Sequence, residues 1–185
     1  MDTHTSNIYL FKALDAYPYQ LEETIEALNY ALSYDDKNVI ALCLMANLHA
    51  DSLTDYETAK HYFEAAVASD MEMPSIYPDY IYTLIANEDF DEAEKLIDFA
   101  KTLKATDKAV LELLLGYVYE ATARYKEAIS QYKLAIEKGR NNFFNSYVNG
   151  EVERVKKKLP KKKKKRKKQS KKTKRKENKK NRSKK

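Results

Sequence analysis

Three histidines, His4, His49 and His61, and a single cysteine, Cys43, are the side chains of this chain best suited to hold a metal or form a covalent intermediate. Either task needs such groups brought together, and helical spacing is the simplest way to do so. No histidine here has a metal-like partner at that spacing. His49 and His61 fall in different predicted helices, and Cys43 sits in the apolar run ALCLMA, where a thiol packs as a small hydrophobe. With only 3 Gly in 185 residues there is no loop to cradle a phosphate, and no Ser-His-Asp or paired-acid spacing stands out. The acidic run EDFDEAE reads as a solvated helix start that suits the helix dipole. The expectation is a protein without catalytic residues, metal or cofactor.

The residues that can do something distinctive are at the other end of the chemical scale. From Lys156 to Lys185 there are 18 Lys and 3 Arg against the single acid Glu177, a charge of +20. The remaining residues, 1–155, hold 13 basic and 27 acidic side chains, a net of −14 hidden by the overall +6. A chain this cationic condenses on polyanions, because each neutralised phosphate releases a bound counterion. The candidate contacts are Lys161, Lys162, Lys163, Lys164, Lys165, Arg166, Lys167, Lys168, Lys171, Lys172, Lys174, Arg175 and Lys176. The segment has no aromatic ring to stack on bases, and its lysines act as point charges, so RNA or DNA would be bound without sequence preference. Nuclear import, attachment to an acidic membrane surface and folding back on the acidic part are the competing uses.

Elements must position these groups, and the acidic part supplies them by repetition. Four segments align, TIEALNYALSYDDKN from Thr24, AKHYFEAAVASDMEMP from Ala59, AEKLIDFAKTLKATD from Ala93 and AISQYKLAIEKGRNN from Ala128, so the period is 34 to 35 residues. In each a small residue is followed four on by a large apolar one and seven on by alanine: Thr24/Leu28/Ala31, Ala59/Phe63/Ala66, Ala93/Ile97/Ala100 and Ala128/Tyr132/Ala135. Those offsets put the three on one helical face, small residues admitting a neighbouring helix and the large one filling the space beside it. A second helix precedes each. In KAVLELLLGYVYEATARYKE, capped by Thr106 or Asp107, Gly116 marks a crossing point; Ala46 takes that place in NVIALCLMANLHADS. The third, PSIYPDYIYTLIANEDF, must keep Pro78 in its first turn, and the first, SNIYLFKALDAYPYQ, has Lys12 where a small residue is expected. The turn around DSLTDY holds one extra residue. Last comes NNFFNSYVNGEVERVKKKLP, whose Phe144, Val148, Val152, Val155 and Leu159 make an amphipathic helix that would cover the end of the stack.

Leu115, Gly116 and Tyr119 followed by Ala128, Tyr132 and Ala135 resemble the tetratricopeptide repeat family, with its L-G-x-x-Y and A-x-x-x-F/Y elements and second alanine. The resemblance covers roughly 5–142, closest over 109–142. The chain has no tryptophan, and of its prolines only Pro74, in the second unit, falls near the family's closing proline. Pentatricopeptide repeats, which read RNA, share the period but fit the paired small residues and L-G-x-x-Y less well.

The resemblance implies an all-α, right-handed α-solenoid of about four helix pairs over 5–142, a capping helix over 143–159 and a disordered basic tail over 160–185. It also implies a concave groove lined by the first helix of each pair, holding a protein or peptide. Its candidate residues are Tyr9, Ala13, Tyr17, Cys43, Asn47, Tyr82, Leu113, Tyr117 and Glu120. The second, third and fourth of these helices carry no Lys or Arg within their bodies, which disfavours the family's cationic clamp for chaperone C-termini. A tyrosine-rich groove suits an extended or helical apolar peptide, whereas tyrosines packed between helices would leave none. The lone cysteine, the absence of a secretory signal and the lack of any run of about 20 apolar residues give a cytoplasmic expectation, or a nuclear one in a eukaryote, with no integral membrane span. The functional expectation is a non-catalytic adaptor with a peptide groove and a polyanion-binding arm.

Overall fold

A computed structural model describes residues 3–160, and in them every regular element is helical. The tail residues named above from Lys161 to Lys176, and all but the first residue of the expected tail, lie outside the described residues. The helices are α1 (Thr3–Ala16), α2 (Leu21–Tyr34), α3 (Val39–Asn47), α4 (Tyr56–Ser69), α5 (Ile76–Ala86), α6 (Phe90–Thr102), α7 (Lys108–Ala121), α8 (Tyr125–Lys138) and α9 (Asn142–Lys156). They pair in chain order, α1 with α2 through α7 with α8, and α9 packs on α8.

Starts and stops follow local chemistry. Asn38, Asp55, Asp107 and Asn141 cap α3, α4, α7 and α9 with side-chain oxygens that accept otherwise orphaned N–H groups. Asp107, not Thr106, is the cap of α7; the Thr106 hydroxyl instead donates to the carbonyl oxygens of Ala100 and Leu103. Pro78 falls in the first turn of α5, where a missing N–H costs no helical hydrogen bond. Thr54, Glu88 and Ala123 have φ of 52°, 64° and 58° at equivalent places in the turns that end α3, α5 and α7. A left-handed residue at that step reverses the chain into the second helix of each pair.

The small and large residues meet as their spacing predicts. Thr24, Leu28 and Ala31, Ala59, Phe63 and Ala66, Ala93, Ile97 and Ala100, and Ala128, Tyr132 and Ala135 are all buried. Gly116 faces Tyr132 so closely that a Cβ there would lie 2.2 Å from the ring. The extra residue of the second repeat is absorbed in a π-helical stretch, Leu48–Ser52, that continues α3. Three apolar clusters run along the stack, bordered in common by Leu32 and Tyr62 between the first two and by Tyr117 and Tyr119 between the last two. Successive repeats are also tied along their edges: Lys60 reaches Asp89 at 2.6 Å, Arg124 reaches Glu94 at 3.1 Å, and buried Glu112 holds both Lys101 and Lys138. Burial alone would raise the Glu112 pKa, but the two lysines outweigh it and lower it.

One departure shifts the first repeat. Lys12 is exposed and pairs with Glu23, while Ala13, one residue later, is the fully buried small residue against Leu28 and Ala31. A lysine cannot sit at a closed helix crossing without an anionic partner there, so the register of α1 moves by one.

Candidate peptide groove

Pairwise contacts trace one face across the first helices of the pairs. The hydroxyl of Tyr17, in the turn that follows α1, donates to Asp51 at 3.4 Å. Asn47 of α3 donates to Asp79 of α5 at 3.1 Å. Burial, and then Asp51 and Asp79, raise the Tyr17 phenol pKa. Burial and Asp79 push the Cys43 thiol up to about 11. Farther along, the Tyr117 and Tyr147 hydroxyls are 2.7 Å apart, and Tyr117 is raised by burial, by Tyr147 and, more weakly, by Glu151 and Tyr82. The stripe therefore runs from Tyr17 through Asp51, Asn47, Asp79 and Tyr82 to Tyr117 and Tyr147. Asp51 and Asp79 meet no cation among the described residues.

The far end is closed by α9. Glu120 accepts from Arg154, from Lys158 at 2.7 Å and from the Tyr132 hydroxyl at 3.0 Å, while Arg154 also bonds Glu151. Burial would raise the Glu120 carboxyl, but these three donors bring it down to about 2.

Of the expected groove residues, the structure brings together Tyr17, Cys43, Asn47, Tyr82 and Tyr117, all at least partly accessible. Others go elsewhere. Tyr9 stacks on Tyr30 and Tyr34 of α2 at 5.0 and 5.9 Å, within its own helix pair. Ala13 is fully buried and Leu113 is 8% exposed, so both are core. Glu120 is spent on Arg154 and Lys158. With α1 registered on Ala13, Leu14 takes the place that follows the small residue, as Asn47 and Tyr117 do, and it is exposed. The Lys12/Ala13 ambiguity concealed it. Asp51, Asp79 and Tyr147 were also missed, and the one-residue offset that places Asp51 depends on the π-helical stretch.

A cavity of about 880 Å³ opens between the α6–α7 and α8–α9 turns, among Lys104, Lys108, Lys138 and Arg140. Lys108 is bound to the carbonyl oxygens of Lys101 and Leu103, and Lys138 to Glu112, so half of these cations are already satisfied. Elsewhere, His49 stacks on Tyr62 at 5.6 Å and lies 3.4 Å from Asp55, and His61 is exposed on α4. Among the described residues no three His, Cys, Asp or Glu side chains gather as a metal site, and no helix is long and apolar enough to cross a membrane.

No protein-family model matches the sequence, and no curated protein does. Solved structures do match. The pilF protein of Pseudomonas aeruginosa superposes with a TM-score of 0.71 over 84% of this chain and 69% of that one, at 19% identity. MamA residues 41 to the end from Desulfovibrio magneticus RS-1 gives 0.64 over 85% and 89%, at 15% identity. A further MamA structure gives 0.62 over 83% and 87%, at 18% identity. The chain has the tetratricopeptide-repeat fold.

Proposed function

We propose that this protein is a non-catalytic adaptor whose tetratricopeptide groove takes a peptide or protein segment and whose segment 161–185 anchors it to RNA or DNA without sequence preference. The observation that carries the groove half is the stripe itself. Among the described residues Tyr82, 56% exposed, has no hydrogen-bond partner and Asp51 and Asp79 meet no cation, so the surface offers aromatic faces beside uncompensated negative charge. Such a surface favours an extended segment that alternates apolar and basic side chains, the basic ones lying their stems on the rings. Charge carries the other half. A body of −14 repels phosphates, so the +20 segment makes the nucleic-acid contact.

The test uses the full chain throughout. Peptide-array binding is expected to select Lys- or Arg-containing apolar peptides and to be lost in Tyr82→Ala with Asp79→Asn; retention in that variant refutes the groove assignment. Fluorescence anisotropy on two unrelated RNAs and one DNA is expected to give similar affinities. These should fall by roughly 10³–10⁵ between about 50 and 200 mM salt, the response to about 6–10 neutralised phosphates. Marked preference for one sequence, or no loss when Lys161 to Lys165 are changed to Gln, refutes the anchor assignment.

A further inference from the structure

The concave stripe and the basic segment are complementary to one another as well as to outside partners. We propose that residues 161–185 lie back along the groove of the same molecule, so that the groove partner and the polyanion each compete with an occupant the chain itself provides. This deepens the adaptor reading and rests on its two sites.

Three observations support it. The first is charge. Among the described residues Asp51 and Asp79 meet only neutral donors, the Tyr17 hydroxyl and the Asn47 amide, although 13 basic residues are available in 1–155. Residues 161–185 offer 15 Lys and 3 Arg against one Glu. The second is where the described chain ends. Two residues before Pro160, Lys158 already donates to Glu120 of α7 at 2.7 Å, so the segment departs from the α7 end of the stripe. Lys158 also lies over the Tyr125 ring at 5.9 Å, a lysine-on-tyrosine contact of the kind the groove would repeat. The third is reach. From α9 past α7 and α5 to α3 is three helix-to-helix steps of about 10 Å each, and an extended chain of 25 residues spans up to about 80 Å. The segment can pass both Asp79 and Asp51 with length to spare.

The consequence is reciprocal coupling. A polyanion that takes the segment uncovers the groove, and a peptide seated in the groove frees the segment. Asp51 and Asp79 are both exposed, so added salt screens their attraction for the segment.

The experiment is paramagnetic broadening in the full chain. A nitroxide is placed on the sulfur introduced by Ser170→Cys in a Cys43→Ala background, and the ¹⁵N amide signals of Asn47 and Tyr82 are followed. At low salt both signals are expected to lose most of their intensity and to regain it in high salt, on adding poly(U), and in Asp51→Asn with Asp79→Asn. Should that pair of substitutions disturb the fold, seen as a collapsed amide spectrum, changing Lys161 to Lys165 to Gln in the labelled chain carries the same expectation. Unbroadened signals at low salt, or broadening that survives these substitutions, overturn the proposal. A mixture of ¹⁵N-labelled and nitroxide-labelled chains must show no broadening; transfer between molecules would mean that a second copy fills the groove, and would overturn it too. Poly(U) anisotropy on the same samples keeps the two readings apart, because broadening without RNA binding removes the anchor while leaving the intramolecular contact in place.

Discussion

Replacing Glu120 by Gln removes a charge and almost nothing else, and its effect can be worked from the contacts. The Glu120 side chain is 10% exposed and receives Arg154, Lys158 and the Tyr132 hydroxyl. Its carboxyl is held at about 2, against an ordinary 4.5. A depression of that size corresponds to a ceiling of about 3 kcal/mol of folding stability at neutral pH. Arg154 and Lys158 are each 45% exposed, so solvent screens their side of the cluster and a loss of about 1–2 kcal/mol is expected. Because the folded carboxyl titrates below the unfolded one, the contribution is complete above about pH 4.5 and disappears as pH falls towards 2. Urea denaturation of wild type and Glu120→Gln at a series of pH values should show a gap at pH 7 that narrows below pH 4.5. A double-mutant cycle with Arg154→Gln should give a coupling of about 1 kcal/mol at pH 7. No gap at pH 7, or a gap that is flat with pH, would refute the electrostatic closure of α9 on α7.

Other expectations are separate from that cluster. Gly116→Ala drives a methyl into the fully buried Tyr132 ring, 2.2 Å from Cε1, and should cost about 1–3 kcal/mol in a denaturant melt. Ala100→Leu and Ala135→Leu overfill fully buried helix contacts and should cost a similar 1–3 kcal/mol, on the order expected for overpacking. Ala123→Gly should instead stabilise by about 0.5–1 kcal/mol, because the exposed Ala123 sits at φ 58°. The Cys43 thiol, held at about 11 against an ordinary 9.0, should react about 100-fold more slowly than a free cysteine with a thiol reagent at pH 8, and Asp79→Asn should speed it.

What could be read without a structure was whatever repeats locally. The triads of the second helices and the Gly116 crossing are fixed by offsets of four and seven along one helix, and all of their members are buried. Registers between helices were less legible. Lys12 and Ala13 are adjacent and both lie on α1, so only packing against Leu28 decides which one faces α2. Similarly, Tyr9 carries the same chemistry whether it lines a groove or stacks on Tyr30, and the ring stack is visible only when α2 is in place. Glu120 read as a groove acid because the partners that hold it arrive 34 and 38 residues later, whereas the nearby Arg124 is taken by Glu94 and Glu127. Long-range ion pairs of this kind leave no local pattern.

The tyrosines show why composition could not distinguish a packed interior from a binding surface. Tyr77 and Tyr132 are fully buried, each with its hydroxyl matched to an acceptor, Met71 O and Glu120, which is the usual condition for burying a phenol. Tyr17, Tyr82, Tyr117 and Tyr147 have the same side chain, but their rings are left partly or wholly accessible on one continuous face. That face also holds two carboxylates that meet no cation among the described residues, while the edges of the stack use lysines and arginines to join one repeat to the next. A solenoid stabilised only by repeat-to-repeat packing has no need for such a division. The charge on that face that meets no cation among the described residues is what the proposed intramolecular contact would neutralise, and the sequence that follows Lys158 carries the complementary charge.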